Sequence, residues 1–336
     1  AFTGANANFG LPAPGTVTDK DAVFGWGHRG YNWEYSTSVQ QELVPGRVAV
    51  DVGFFRRWYG NFTVEDNLAN VPSDYGSFSV VVPTDPKLPL SGQTITGFLD
   101  ANPNVASLPS DGHVRLSSQY GEQYENWQGV DVNMSARLGN GTLVQGGFST
   151  GRTVQDNCGV LAKVPEGGIT TQQGLSNGLL PVGGSLAIPF CHQETPYLTQ
   201  VKALATYMIP KIEVQVAAAF QSVPGPQVTA GLVVPCGAGT SVAAQLGRAC
   251  TATGGSVTVQ IVEPGTLYED RLHQFDLRVG KVIRLGGARR LSANVDLFNL
   301  LNSSAVLGTS NLYSSFRTPS SVVGARFLKF SATLNF

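Results

Sequence analysis

The sequence predicts an all-β fold, an antiparallel transmembrane β-barrel that is incomplete, with tight turns at one end and long loops at the other. Three observations predict it. Charged residues make up 13% of the 336 residues, about half the roughly 25% of an ordinary soluble domain. Hydrophobic residues reach 42%, yet no run of about 18 consecutive apolar residues is present to encode a transmembrane helix. Apolar and polar side chains instead alternate with period two in segment after segment, the pattern of strands with one apolar face.

In chain order, the first two strands are expected near 29–43 and 47–59, joined by Pro45-Gly46. The third, near 122–138, sets Val130, Val132, Met134, Ala136 and Leu138 against Asp131, Asn133, Ser135 and Arg137, and turns at Gly139-Asn140-Gly141. The fourth, near 142–152, is blurred by glycine. Two further strands, 197–209 and 211–221, join through Pro210; Val201, Ala203, Ala205, Tyr207 and Ile209 form the apolar side of one, and Ile212 to Phe220 that of the other, opposite Lys211, Glu213 and Gln215. Phe275, Leu277, Val279 and Ile283 define a strand near 269–284, linked by Gly286-Gly287 to one near 288–301 that carries Leu291, Ala293, Val295 and Leu297. The last, 324–336, has the clearest pattern: Leu328, Phe330, Ala332, Leu334 and Phe336 alternate with Lys329, Ser331, Thr333 and Asn335.

Charge placement separates a membrane barrel from a soluble sandwich. Within these segments charges fall almost without exception on the polar parity, and a Lys or Arg facing lipid at the bilayer midplane costs about 2–4 kcal/mol. The polar side is rich in Ser, Thr, Asn and Gln, as a wet lumen requires. Tyr31, Trp33, Tyr35, Trp58, Tyr59, Tyr124, Trp127 and Tyr197 cluster near strand ends, where a membrane–water boundary suits Tyr and Trp. Pro/Gly/Ser-rich stretches near 62–121, 153–195, 223–267 and 303–322 match long extracellular loops opposite short periplasmic turns. Nine strands ending on the turn side begin on the loop side, whereas bacterial single-chain barrels have an even number. The expectation is therefore a fragment, with 1–28 the tail of an extracellular loop and 29–336 the C-terminal part of the barrel. Phe330, Leu334 and the closing Phe336 stand where a C-terminal assembly signal for the barrel-assembly machinery would be.

Cys158, Cys191, Cys236 and Cys250 form no CxxC pair. In an oxidising setting they would be disulfide-bonded, and pairing Cys158 with Cys191 and Cys236 with Cys250 would staple one long loop each. A metal site using Cys191 and His192 is the competing reading. No nucleophile elbow or P-loop is present, the four histidines are scattered, and the formal charge of −1 gives no sign of nucleic-acid binding. No enzyme activity and no cofactor are expected. Asp51, Asp131, Arg137, Lys202, Glu213, Asp276, Arg278 and Asp296 are the candidate lumen-facing charges, available to a plug or a substrate, or simply to solvate the lumen. Recognition of a ligand is expected in the long loops.

The stretch from Gly265 to Lys281, the element Asn294-Val-Asp-Leu-Phe-Asn-Leu-Leu-Asn302, then Phe327-Leu-Lys-Phe and the closing Phe336 resemble the end of TonB-dependent receptors. The branch with a carboxypeptidase-regulatory-like N-terminal domain is the most similar. Gly129-Val-Asp-Val-Asn and the neighbourhoods of Cys158 and Cys191 also resemble it. The resemblance implies a 22-stranded barrel of which this chain holds about the last nine strands, a plug and a TonB-contacting segment upstream of it, and residence among the lipids of a Gram-negative outer membrane. It implies TonB-dependent uptake of a bulky nutrient, a siderophore, glycan or peptide. A passive or structural barrel and a soluble secreted β-rich binding protein are the alternatives.

Overall fold

The computed structural model describes residues 16–139, 141–168, 188–287 and 289–336. Nine long strands dominate it: β1 (Tyr31–Val44), β2 (Val48–Gly60), β3 (Tyr124–Leu138), β4 (Thr142–Asp156), β5 (Gln200–Ile209), β6 (Val214–Val223), β7 (Leu272–Gly286), β8 (Arg289–Phe298) and β9 (Phe327–Asn335). Each pairs antiparallel with the next in sequence, giving one continuous meander. All nine expected strands are present. The sheet is open: among the described residues no strand pairs with the outer edge of β1 or of β9.

Register explains why the alternation was so regular. Residues opposite one another across a ladder share a face. One row therefore runs Val44, Val48, Ala136, Val144, Ala205, Ala218, Leu277, Leu297, Leu328 through all nine strands without a polar residue. A second runs Tyr207, Val216, Val279, Val295, Phe330. Among the described residues nothing covers this face. Met134, Phe148, Tyr207 and Phe330 are 43%, 41%, 40% and 72% exposed. The opposite face carries rows such as Gln40, Asp51, Asn133, Gly147, Lys202, Gln221, Gln274. In the nine strands the charges on the apolar parity are Arg56, Arg152 and Asp156 toward the loop end and Lys281 and Arg289 toward the turn end.

Two details differ from the sequence reading. The strand expected from Lys211 begins at Val214, because Lys211 (φ 74°) and Glu213 (φ 51°) both adopt left-handed conformations and lengthen the turn after Pro210. Glu213 is thus a turn residue, not a member of the polar strand face, and its Oε1 accepts from Arg284 Nη2 at 2.6 Å. The blurred fourth strand is as long as β3, 15 residues. Its glycines are there for close approach: a Cβ on Gly147 would lie 2.2 Å from the Val132 carbonyl oxygen, and one on Gly146 would lie 2.9 Å from that of Lys202. Of the four tight links, that at 139–141 includes Asn140, and the one after Gly287 includes Ala288; both of those residues lie outside the described set.

The hydrophobic core is not in the sheet but in the loops. Loop L1 (61–123), L2 (157–199), L3 (224–271) and L4 (299–326) all leave from one end of the sheet, and their described residues pack into a shared lobe. Phe78, Val82 and Phe98 from L1, Phe190 from L2, and Ala230, Val259 and Ile261 from L3 are buried together, with Tyr313 and Phe316 of L4 against them. The Phe78 and Phe98 rings stack at 5.6 Å, and burying such a side chain contributes about 1.5–3 kcal/mol. The hairpins Tyr75–Val81/Thr94–Ala101 and Gly231–Pro235/Ser256–Gln260 supply most of this core. The described parts of the loops are folded because alternating segments such as Phe78-Ser-Val80 and Val257-Thr-Val259 each hide one face against the others.

The expected disulfides are the ones formed, Cys158–Cys191 and Cys236–Cys250. With Cys191 oxidised and His192 Nδ1 2.9 Å from Asp156 Oδ2, the metal reading of that pair has no thiolate to use. At the N-terminal side, residues 1–15 of the expected loop remnant lie outside the described residues. Val17–Thr18 pairs with Gly112–Leu116, which also pairs with Thr63–Asn67, so this segment joins L1.

Candidate functional site: the vestibule between sheet and lobe

Seven of the eight charges singled out from the sequence share one face: Asp51, Asp131, Arg137, Lys202, Asp276, Arg278 and Asp296. They do not converge on a single point. The Arg278 guanidinium pairs across the ladder with Asp296, whose side chain is 4% exposed. Asp276 Oδ1 accepts the Asn299 backbone N–H at 2.7 Å and a Gln274 amide hydrogen at 3.1 Å. Those three serve the sheet itself. Asp51 and Lys202 instead line an open groove of about 500 Å³ floored by Gly146 and Gly147.

The Asp296-Leu-Phe-Asn-Leu-Leu-Asn302 element ends β8 by a definite device. Asn299 and Asn302 take left-handed conformations (φ 50° and 53°), which Asn tolerates better than most residues. The buried Asn299 amide donates to the carbonyls of Ser303 (2.9 Å) and Gly324 (2.8 Å) and accepts from the Ser303 N–H (2.8 Å), while Asn302 Oδ1 accepts from the Arg326 N–H. The motif thus fixes both ends of L4 to the sheet. Phe330 and Leu334 project from the apolar face of β9, and Phe336 is 95% exposed at its end.

A second cavity, of about 510 Å³, lies where the polar face meets the lobe. Its floor is aromatic. Gly129 and Gly151 are ladder partners on β3 and β4, and a Cβ on either would come within 2.8 Å of the Trp127 indole. The six-membered ring of the indole therefore rests against both glycines, where a Cβ would also meet the backbone carbonyls of Thr150 and Gln128. Around it stand Glu125, Thr153, Gln155, Gln193 and Thr195. Gln155 Nε2 donates to Gln193 Oε1 at 2.7 Å, Gln193 Nε2 donates to the Phe190 carbonyl at 2.9 Å, and Thr195 Oγ1 accepts the Thr153 N–H at 2.9 Å. These bonds hold the wall in place before any ligand arrives.

The roof comes from L3. Gln227 and Tyr268 form an isolated antiparallel bridge and both line the cavity. Burial pushes the half-buried Tyr268 hydroxyl above its ordinary pKa, so it stays protonated and able to donate. Gln227 Nε2 is shielded from water without a protein partner. Arg152 borders the cavity, but its register sets it on the apolar parity, where its guanidinium pairs with Glu194 and lies 5.2 Å from the Tyr197 ring centroid.

Sequence reasoning misassigned part of this site. Trp127 and Tyr59 were grouped with the boundary aromatics, but both face the polar side, whereas Tyr31, Trp33, Tyr35, Trp58, Tyr124 and Tyr197 lie on the apolar parity. The signal was available: Trp127 has odd parity in a strand whose apolar residues are even. Gln193, Gln227 and Tyr268 carried no local signal, since only the loop packing brings them to Trp127. Among the described residues no group of three or more His, Cys, Asp or Glu is arranged to hold a metal ion.

No protein-family model matches the chain, and no curated protein sequence matches it. Among solved structures, the outer membrane transporter YddB from Escherichia coli aligns with 91% of this chain and 33% of its own, at 11% identity and a TM-score of 0.44. The chain spans about a third of that transporter's length.

Proposed function

We propose that this chain is part of the wall and outer vestibule of an outer-membrane transporter that imports a bulky nutrient in a TonB-dependent manner. The observation that carries the reading is the unbroken apolar row from Val44 to Leu328 across nine strands, on a face that nothing among the described residues covers. An uncovered apolar surface spanning a whole sheet marks contact with another apolar phase. Strands are admissible in lipid only if their edges are also satisfied, so β1 and β9 pair with barrel strands that lie outside the described residues. The polar face then lines the lumen, where Asp51, Asp131 and Lys202 meet a plug or cargo. The lobe stands on the extracellular side, where oxidised cysteines persist. Phe330, Leu334 and Phe336 present the end of the last strand to the barrel-assembly machinery.

Fractionation and gel migration test it. The full-length protein is expected in the outer-membrane fraction, extracted only with detergent and migrating faster before boiling than after. Recovery in the detergent-free soluble fraction would overturn the reading in favour of a secreted binding protein.

A further inference from the structure

We propose that the vestibule over Trp127 binds a neutral oligosaccharide, stacking a sugar ring on the indole; this rests on the transporter reading and names its cargo class. Three features of the site converge on that chemistry. First, the indole rests against Gly129 and Gly151 and lines the cavity. A flat, pre-positioned aromatic face suits the patch of C–H groups on one side of a pyranose ring, and its rigidity lowers the ordering cost of binding.

Second, the polar groups around the platform are amides and hydroxyls: Gln155, Gln193, Gln227, Thr153, Thr195 and Tyr268. Each such side chain offers a donor and an acceptor. A sugar hydroxyl also donates and accepts, so a wall of amides satisfies vicinal hydroxyls in either sense. Gln227 also lines the cavity, and its Nε2 is buried without a protein acceptor; a turn of that side chain would bring the donor to a sugar hydroxyl or ring oxygen, since buried donors are rarely left unpaired.

Third, charge selects against other cargo. The one guanidinium at the border, Arg152, is engaged by Glu194 and Tyr197 on the opposite parity. The remaining ionisable groups are Glu125 and the protonated Tyr268. Among the described residues the one cation lining the cavity is Arg152, whose guanidinium is already paired with Glu194, and Glu125 repels a carboxylate or an anionic chelate. The cavity size falls in the range of ordinary ligand sites, about 300–1,000 Å³.

The test is calorimetric titration of the detergent-purified full-length protein with maltohexaose, cellohexaose, xylohexaose and mannohexaose, and in parallel with hexagalacturonate, hexaglycine and a ferric trihydroxamate. At least one neutral hexasaccharide is expected to bind, with W127A weakening it at least tenfold, W127F within about threefold of the parent, and Q227L several-fold weaker. Hexagalacturonate is expected to bind at least tenfold more weakly than the best neutral sugar. Binding of hexaglycine or the chelate but of no neutral sugar, or sugar binding indifferent to W127A and Q227L, overturns the proposal, as does silence toward all seven probes. Heat-modifiable migration, run on the same preparations, reports the barrel separately. Its retention with no sugar binding sinks only the cargo class, and its loss in the parent sinks the transporter reading.

Discussion

Arg248 and Asp100, 148 residues apart in sequence, are joined through the guanidinium of one and the carboxylate of the other, in the middle of the loop lobe. Arg248 also donates to the Asp100 and Ala101 carbonyls at 3.1 and 3.0 Å and to Asn102 Oδ1 at 3.0 Å, while Thr251 Oγ1 donates to Asp100 Oδ1 at 3.0 Å. The side chains are 21% and 7% exposed, so this is a largely dry pair with its remaining polar positions satisfied. Removing one member of such a pair strands the other, at about 3–5 kcal/mol. R248A is therefore expected to loosen L3 from L1, read as faster hydrogen exchange at 94–101 and 241–260. R248M is expected to recover packing but not protection, and exchange in β7 and β8 is expected to stay unchanged.

The Cys236–Cys250 bridge joins two positions 14 apart in L3. In the chain-entropy model, closing a loop of that size contributes about 3 kcal/mol. Reduction, or a C236S/C250S double variant, is expected to open the lobe at a lower denaturant concentration than the sheet. The Gln245 amide pairs with the Ser79 backbone, accepting at 2.8 Å and donating at 3.1 Å, and is the adjacent contact between L3 and L1. Proteolysis after mild reduction is thus expected to cut first within 237–255, with protection of that segment restored on reoxidation.

His113 ties the N-terminal segment to L1. Its Nδ1 is 2.9 Å from Asp19 Oδ1 and its Nε2 3.3 Å from Asp111 Oδ1, and Arg115 Nε reaches Asp19 Oδ2 at 2.9 Å. The hydrogen bond to Asp19 raises the His113 pKa, assisted by the Asp111 charge and opposed by partial burial and Arg115; the same bond lowers the Asp19 pKa. A raised imidazole binds its proton more tightly in the folded state. Its stabilisation is complete below the ordinary histidine range, about pH 6.5, and is lost as pH rises through the folded value. The lowered Asp19 acts in the other direction, its contribution present above about pH 4 and lost on further acidification. Exchange protection of residues 17–24 is expected to peak in mildly acidic buffer and to fall toward alkaline pH. H113Q, measured alongside to cancel the intrinsic pH dependence of exchange, is expected to abolish the alkaline fall; an identical fall in both proteins would remove His113 as its cause.

How much of this was legible in the sequence depends on the distance over which a residue's partners lie. The strands were legible because alternation is local. Leu328 to Asn335 declares its two faces without reference to anything else, and the register then extends them through nine strands. Glu213 was misplaced because the turn at 210–213 depends on two left-handed non-glycine residues, which composition does not flag. The lobe was not legible as one packed unit because its strands are short, and because partners of Phe78 or Val259 come from other loops. The cavity was missed for the same reason: Trp127 belongs to the sheet, but Gln227 and Tyr268 reach it only after L3 has folded.

Ala218 and Ala219 are adjacent in β6 and point to opposite faces, which makes them a sharp test of which side meets lipid. Ala218 stands in the continuous apolar row between Ala205 and Leu277. Ala219 faces the polar side between Leu204 and Asp276. If the apolar face is in a bilayer, A218R places a guanidinium against hydrocarbon and costs about 2–4 kcal/mol near the midplane. The same change at Ala219 puts the charge in an aqueous lumen two strand positions from the Arg278–Asp296 pair and beside Asp276, at little or no cost. Unfolding of the full-length protein in lipid vesicles is expected to show A218R well below the parent and A219R close to it. In a soluble protein whose exposed apolar face meets water, the order reverses in sense: an arginine at 218 would be tolerated or would improve solubility. Equal destabilisation by the two variants would mean that both faces are buried, which neither a lipid-facing nor a water-facing sheet allows.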